Sequence, residues 1–237
     1  MYIIKKKQLM FFALVVAVII AFMFCFSGLS GSASNTSTGI TVVLDAGHGG
    51  IDGGVTGVNT GVKESDLNLA VVRKIEKCLT DAGINVILTR KTDGGLYGIA
   101  VGSFKSRDMK KRKEIIEKAK PNVVISIHMN KFPVSTRRGA QVFYKNTSSS
   151  GKALANNVQN ALNDIEEAVR SFSPLSGDYY ILNCTEYPSI IVECGFLSNA
   201  EDEKLLSDDV YQEKLAYTIF KGIISYLTAT TSYGFAE

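Results

Sequence analysis

Residues 41–48, with the sequence Thr-Val-Val-Leu-Asp-Ala-Gly-His, decide the fold. This β-branched hydrophobic run ends at a glycine and a histidine, a pattern that predicts a buried strand opening into a loop. A second such run, Asn122-Val-Val-Ile-Ser-Ile-His128, also ends at a histidine. The chain of 237 residues contains only these two histidines. Histidine this scarce, placed twice at a strand end, indicates a shared metal site.

Strand and helix patterns alternate along the chain from the first run onward. The predicted strands are Ile40–Asp45, Asn85–Thr89, Asn122–Ile127, Gly139–Tyr144, Tyr179–Leu182 and Ser189–Glu193. Helices are predicted from Leu67 to Leu79, with Ser65 as N-cap and Gly83 as the stop, and over about Ser106–Lys118, Lys152–Leu162 and Asp209–Leu227. Repeated strand and helix units predict an α/β fold: a single domain with a mostly parallel twisted sheet and helices on both faces.

The ends of three predicted strands bring polar side chains to one place. Ligands of parallel sheets bind beyond the carboxyl ends of the strands, and His48, His128 and Glu193 all stand at such ends. Glu64 is the expected third metal ligand, because a glycine-rich loop leads from His48 to the helix that follows it. Two imidazoles and one carboxylate hold zinc at three corners and leave a fourth position open, so we expect one Zn²⁺ per chain.

Glu193 is the expected catalytic base. It ends an apolar strand, where partial burial and a nearby metal tune a carboxylate to carry a proton between water and a leaving amine. Neither histidine is free to activate a serine or cysteine once both bind metal, which argues against a nucleophilic triad. Strand alternation points Cys194 away from Glu193, so Cys194 is interpreted as structural.

Each of these residues also has a simpler interpretation. A single histidine at a strand end is commonly a hydrogen-bonded core or surface residue. Glu64 alone is compatible with a solvated carboxylate near a helix N-terminus, and Glu193 alone with a structural ion pair. The pairing of the two histidines is what favours the metal site.

The N-terminus predicts export. Lys5, Lys6 and Lys7 precede an uncharged stretch from Leu9 to Leu29, which small polar residues follow. This stretch suits either a cleaved signal peptide or a membrane anchor, so residues 1–35 are assigned to one of these two and residues 36–237 to a zinc-dependent catalytic domain. Both choices place the catalytic domain outside the cytoplasmic membrane.

Charge and cysteine content argue against a nucleic-acid-binding protein and against a protein built on disulfides or cysteine zinc sites. The chain has 26 basic and 23 acidic residues, and Lys5, Lys6 and Lys7 account for the whole excess, so no nucleic-acid partner is predicted. Its four cysteines have no CxxC spacing, which argues against a disulfide framework or a cysteine zinc site.

Several motifs resemble those of one known family. They are Val43-Leu-Asp-Ala-Gly-His-Gly-Gly50, Lys63-Glu64, Thr89-Arg90, Ser126-Ile-His-Met-Asn130 and Val192-Glu-Cys-Gly-Phe-Leu-Ser-Asn199. In this order they resemble the zinc-dependent N-acetylmuramoyl-L-alanine amidases of the Amidase_3 type, over about Ile40 to Leu227. A single catalytic domain behind one hydrophobic segment is similar to the members that act in sporulation and germination.

The resemblance implies roles for particular residues. It implies that His48, Glu64 and His128 bind zinc and that Glu193 is catalytic, in agreement with the residue-level reasoning. It further implies that Arg112 and Asn130 support the site or contact the substrate. The implied reaction is hydrolysis of the amide between N-acetylmuramic acid and L-alanine in peptidoglycan. In the germination type, the muramic acid freed of its peptide then becomes the δ-lactam of spore cortex through a separate deacetylase.

The chain departs from the family pattern in two segments. Gly94–Phe104 is longer and richer in glycine than the usual link, which suggests a mobile lid or a partner surface. Asp164–Gly177 is too short for the blocking helix of some relatives, so autoinhibition of that kind is not expected. Regulation by a protein partner that supports zinc binding is a further hypothesis. Two other functions stay open: a zinc peptidase that cleaves a stem-peptide bond, and a catalytically silent cell-wall-binding protein.

Overall fold

The computed structural model describes residues 39–98 and 103–233. Within these ranges the strands are β1 (Thr41–Ala46), β2 (Asn85–Leu88), β3 (Val123–Asn130), β4 (Gln141–Tyr144), β5 (Leu175–Ser176) and β6 (Ser189–Phe196). The helices are α1 (Glu64–Asp81), α2 (Phe104–Ala119), α3 (Ser149–Asn163), α4 (Tyr180–Asn183), α5 (Ala200–Leu206) and α6 (Asp209–Tyr233).

The strands form one mostly parallel sheet. Their order is β2-β1-β3-β6-β4-β5. The pairs β1 with β2, β1 with β3 and β3 with β6 are parallel, whereas β4 runs antiparallel to β6. The prediction of an α/β domain with a mostly parallel sheet is therefore confirmed.

Helices cover both faces of the sheet, as predicted. Side chains of β1 alternate between the faces: Val42 and Leu44 pack into the larger core with α1, α3 and α6, and Val43 packs into a smaller core under α2 and α4. All three side chains are fully buried. Because each such side chain contributes roughly 1.5–3 kcal/mol on burial, β1 is anchored from both sides.

The strand register brings the carboxyl ends of three strands together. In the parallel pair of β3 and β6, His128 lies opposite Glu193. In the pair of β1 and β3, Asp45 lies opposite Ser126. The carboxyl ends of β1, β3 and β6 therefore meet at one edge, which is where ligands of parallel sheets bind.

The prediction of a strand at Tyr179–Leu182 is wrong. This segment forms the single helical turn of α4, in which the amides of Leu182 and Asn183 donate to the carbonyl of Tyr179. Ile181 and Leu182 are neighbours in sequence and both are buried, which a turn of helix permits and the alternating faces of a strand do not. The strand in this region is instead the two-residue β5.

The predicted N-cap of α1 is also wrong. The helix begins at Glu64, and Lys63 is its cap residue without a side-chain hydrogen bond. The first amides of α1 donate to the main chain of the preceding loop, Glu64 to the carbonyl of Val55 and Ser65 to that of Gly53. The loop backbone thus replaces a capping side chain. At the other end, Gly83 adopts φ 76° and ends the helix as predicted.

Some predictions concern residues beyond the described ranges. The signal or anchor predicted for residues 1–35 lies outside them, and so does the middle of the Gly94–Phe104 segment, residues 99–102. Residues 164–177 are described and contain turns and β5 but no helix. Across the described residues, none of the helices combines the length and apolar character needed to span a membrane.

A buried ion pair joins the sheet to α2 at the functional edge. Asp45, at 2% exposure, accepts hydrogen bonds from the hydroxyls of Thr89 and Ser126, each at 2.6 Å, and from Arg112. Arg112 also pairs with Asp108 one turn earlier on α2, with an Nε to Oδ2 distance of 2.6 Å. Burial by itself would raise the pKa of Asp45, but the Arg112 charge and the two hydroxyl donors outweigh it and lower the pKa to about 2.

This pKa predicts how Asp45 contributes to stability in acid. Because the folded pKa lies below the ordinary value of 3.8, the ionised carboxylate stabilises the folded state above about pH 4, and this stability is lost as the pH falls through about 2. We expect the contribution to be about 2 kcal/mol. Urea unfolding of the metal-free protein between pH 5 and pH 2 should show a shallower loss of unfolding free energy for Asp45→Asn than for wild type.

Asp81→Asn is the matched control, since Asp81 is an exposed partner of Lys77. It should keep the acid dependence of the wild type. Should Asp45→Asn fail to fold, Ser126→Ala removes one donor to Asp45 and should shift the acid loss to higher pH. Identical acid dependence of wild type, Asp45→Asn and Ser126→Ala would contradict the assignment.

Candidate metal centre and active site

Three side chains form a cluster at the carboxyl edge of the sheet. His48 follows β1, Glu64 begins α1 and His128 lies in β3. Oε1 of Glu64 is 3.2 Å from Nε2 of His48 and 2.9 Å from Nδ1 of His128. One ligand atom of each residue lies within 4.8 Å of the other two, which is the spacing of groups that can bind one metal ion.

The carboxylate of Glu64 is held in place by the main chain. Its Oε2 accepts from the amide of Val55 at 2.9 Å, and its Oε1 accepts from the amide of Met129 at 3.2 Å and from the side chain of Asn68 at 3.3 Å. Burial would raise the pKa of Glu64, but the two imidazoles outweigh burial and hold that pKa well below its usual range. Glu64 is therefore ionised, as a metal ligand must be.

The loop that carries His48 has little freedom. His48 itself adopts the left-handed conformation, with φ 59°, which is rare for residues other than glycine. Its Nδ1 lies 2.9 Å from Oδ1 of Asp52. A Cβ atom at Gly47 would lie 2.2 Å from Cε1 of His128, so only glycine lets the chain pass this close to the second imidazole.

Two buried guanidinium groups hold the carbonyls of this loop. Arg112 donates to the carbonyls of Ala46 at 2.8 Å and His48 at 2.6 Å. Arg90 donates to the carbonyls of Ala46, Gly47 and Ser65, at 2.9, 3.0 and 2.6 Å. Since Ser65 belongs to the first turn of α1, Arg90 fixes the His48 loop relative to the helix that carries Glu64.

Glu193 faces the cluster from the neighbouring strand. Its Oε2 is buried and has no hydrogen-bond partner among the described residues. Burial is the main cause that raises the pKa of Glu193, to about 7; the charge of Glu64 adds to it and the imidazoles of His128 and His48 oppose it. A carboxylate with a pKa near neutrality can both accept and donate a proton, which is what a general acid and base requires.

These residues line a cleft of about 500 Å³. Its walls include aromatic, basic and polar side chains around the cluster, among them Tyr97, Phe104, Lys105, Asn130, Lys131, Tyr179 and Tyr180. Tyr179 and Tyr180 are 40% and 49% exposed. A cleft of this size is within the range of ligand-binding pockets, and the three-residue cluster lies in its wall.

The structure separates the roles of the remaining predicted residues. Arg112 is 1% exposed and directs its donors to Asp45, Asp108 and main-chain carbonyls, so it supports the His48 loop, and it also lines the cleft. Asn130 lines the cleft. Cys194 is buried and packs in the larger core, on the face of β6 opposite to Glu193.

The sequence interpretation assigned no role to Asp45, Asp52 and Arg90. Asp45 and Arg90 stand within the quoted motifs, and their signal was a charged residue at or directly after the end of an apolar strand. Such a charge has to be paired when the strand is buried. Asp52 gave no signal, because its contact with His48 depends on the turn of the glycine-rich loop.

The donor set fits a divalent metal. Two imidazole nitrogens and one ionised carboxylate are the ligands that catalytic zinc sites use with an open fourth position. Oε2 of Glu193 lines the same cleft and has no hydrogen-bond partner among the described residues. A water or substrate atom held by a metal at the cluster would supply a partner for this buried oxygen.

Comparison with known proteins assigns the family. The family model described as N-acetylmuramoyl-L-alanine amidase, Amidase_3, matches residues 42–225. The germination-specific N-acetylmuramoyl-L-alanine amidase of Bacillus subtilis (strain 168) is 34% identical over 195 residues, which cover 81% of this chain and 81% of that protein.

Solved structures agree with this assignment. The CwlD amidase of Clostridioides difficile, solved in complex with the GerS lipoprotein, is 38% identical and superposes with a TM-score of 0.77 over 80% of this chain and 99% of that one. The catalytic domain of the amidase CwlV from Bacillus (Paenibacillus) polymyxa var. colistinus is 31% identical, with a TM-score of 0.69 over 80% of this chain and 98% of that one. The chain therefore belongs to the Amidase_3 family of N-acetylmuramoyl-L-alanine amidases, which hydrolyse the amide between N-acetylmuramic acid and L-alanine in peptidoglycan.

Proposed function

We propose that this amidase is zinc-dependent, that His48, Glu64 and His128 bind one Zn²⁺ ion, and that Glu193 is the general base. The observation that carries the proposal is the cluster of three ligand atoms within 4.8 Å of one another beside the unpartnered carboxylate of Glu193. When bound, zinc supplies a Lewis acid that polarises the amide carbonyl and lowers the pKa of water.

Glu193 carries the proton in this scheme. Its Oε2 accepts a proton from the attacking water and then delivers it to the nitrogen of the departing L-alanine. In the metal-free protein burial raises the pKa of Glu193 toward neutrality, which favours a carboxylate that can both accept and donate a proton. The carboxylate of Glu64 stays ionised throughout, because two amides and two imidazoles stabilise its charge. Asn130, in the wall of the cleft, is the proposed substrate contact.

We further propose that the enzyme is exported and acts on spore cortex during sporulation, in preparation for germination. The basic and apolar N-terminal segment supports export, with membrane attachment if the segment is retained. Similarity to the germination-specific amidase of Bacillus subtilis supports the spore role. In this role, peptide removal exposes the muramic acid that later forms the δ-lactam. Deletion of the gene should therefore deplete muramic δ-lactam from the cortex.

A protein partner that supports zinc binding is also proposed. The similar CwlD amidase of Clostridioides difficile was solved together with the GerS lipoprotein, which supports a partner for this chain as well. Equal zinc content and equal activity for the isolated chain and any complex would remove this proposal.

Substitution of the base should separate chemistry from metal binding. Glu193→Gln keeps the shape of the side chain but cannot accept a proton, so we expect hydrolysis of purified peptidoglycan to fall by about 10²–10⁴-fold while zinc content is unchanged. Mass spectrometry of the wild-type products should find an intact stem peptide with a free L-alanine amine.

The control for this substitution is Glu186→Gln, at an exposed glutamate that pairs with Lys145. It should behave as wild type. Peptide release by Glu193→Gln at the wild-type rate would refute the assignment of the base. Fragments cut within the stem peptide would identify the enzyme as a zinc peptidase instead, and the absence of all products would favour a binding protein.

Loss of either histidine should abolish metal binding. The chain has only two histidines, so no neighbouring imidazole can replace His48 or His128. Elemental analysis should find about one zinc per chain in the wild type and about a tenth of that or less in His48→Ala and in His128→Ala. Zinc should also raise the melting temperature of the wild type and not that of these variants.

Cys78→Ala is the matched control, because Cys78 is a free thiol on α1 about four helical turns from Glu64. It should bind zinc as the wild type does. Full zinc occupancy in His128→Ala would place the metal elsewhere. A chelator should abolish hydrolysis by the wild type, and added zinc should restore it.

A further inference from the structure

The active-site cleft continues into a second groove along the outer surface of α2. The groove has a volume of about 680 Å³ and is lined by residues of α2, by Ser103 and by Tyr180 of α4. Lys105, Met109 and Tyr180 line both the cleft and the groove. A substrate that reaches the metal cluster can therefore extend without interruption between α2 and α4.

Unpaired and paired charges occupy different parts of this groove. Near the cleft stands Lys105, which is exposed and has no ion-pair partner among residues 39–98 and 103–233; Lys110 lies one turn further and is likewise unpaired within these ranges. Two acidic residues follow toward the other end of the groove, and each has a lysine partner: Glu114 pairs with Lys111 at 3.0 Å, and Glu117 pairs at 3.5 Å with Lys113, which also lines the groove. The unpaired cations Lys105 and Lys110 thus lie toward the cleft, and Lys105 lines the cleft itself.

The two halves of the substrate differ in charge. The glycan consists of neutral N-acetylated sugars, whereas the stem peptide carries a free carboxylate on its second residue and an amine on the side chain of its third, diamino, residue. An unpaired lysine beside the reacting bond is complementary to the peptide and not to the glycan.

We propose that this groove is the stem-peptide subsite and that Lys105 binds the free carboxylate of the second peptide residue. The proposal rests on the proposed active site, since it places the scissile amide at the cluster of His48, Glu64 and His128. Met109 and Tyr180 form the apolar floor against which the peptide backbone packs. The glycan then leaves the cleft on the side away from α2.

The test compares two short glycan–peptide substrates that differ at one group. One carries the carboxylate on the second peptide residue and the other carries a carboxamide there. For wild type, KM should be about fivefold lower with the carboxylate, as expected for a partly exposed ion pair. For Lys105→Gln this preference should vanish through a higher KM for the carboxylate substrate, with kcat unchanged. Lys105→Arg should retain the preference.

Lys118→Gln is the matched control, because Lys118 is an exposed lysine in the last turn of α2 and lines neither the cleft nor the groove. It should keep the wild-type preference. If the preference for the carboxylate substrate persists in Lys105→Gln, or is absent from the wild type, the assignment of the groove as the stem-peptide subsite is overturned. A higher KM in Tyr180→Ala that grows with glycan length would assign the groove to the glycan instead. Failure of the wild type to cleave either substrate would count against the active site itself.

Discussion

Two buried guanidinium groups are the constraint on which the active site depends. Parallel strands end in loops, and loops by themselves do not hold ligands to a fraction of an ångström. Arg112 and Arg90 remedy this by donating to successive carbonyls of the loop after β1, and Arg90 also reaches the first turn of α1. Their charges are tolerable in the interior because Asp45 and Asp108 compensate for Arg112 and main-chain carbonyls accept from Arg90.

The close packing of the loop explains why its residues are so restricted. The imidazole of His128 occupies the space where any side chain at position 47 would lie, and the carboxylate of Glu64 does the same at Gly54. The left-handed backbone conformation of His48 is unfavourable by itself, and the surrounding hydrogen bonds stabilise it. Contacts within the protein thus hold His48, Glu64 and His128 close together.

The sequence predicted those parts of the fold that depend on periodicity. Continuous apolar runs identified β1, β3 and β6, and the positions of His48, His128 and Glu193 at their ends placed all three at one edge. Short elements were harder. Four residues cannot show a period, so the sequence predicts a strand where the structure has the helical turn Tyr180–Asn183. Loop carbonyls, not a side chain, accept the first amides of α1, so no side-chain motif marks the start of that helix. Contacts such as Asp52 with His48 depend on loop geometry that no local pattern encodes.

Cys194 is a buried thiol in β6, directly after Glu193, and its reactivity can report on the opening of this strand. Its thiol points into the larger core directly after Glu193, and burial raises the pKa of Cys194 far above its ordinary value, so the folded protein presents no thiolate there. An alkylating reagent can modify this sulfur only after β6 has separated from its neighbours. The labelling rate of Cys194 therefore measures how often β6 opens, and it can distinguish a substitution at Glu193 that leaves the sheet intact from one that loosens the sheet.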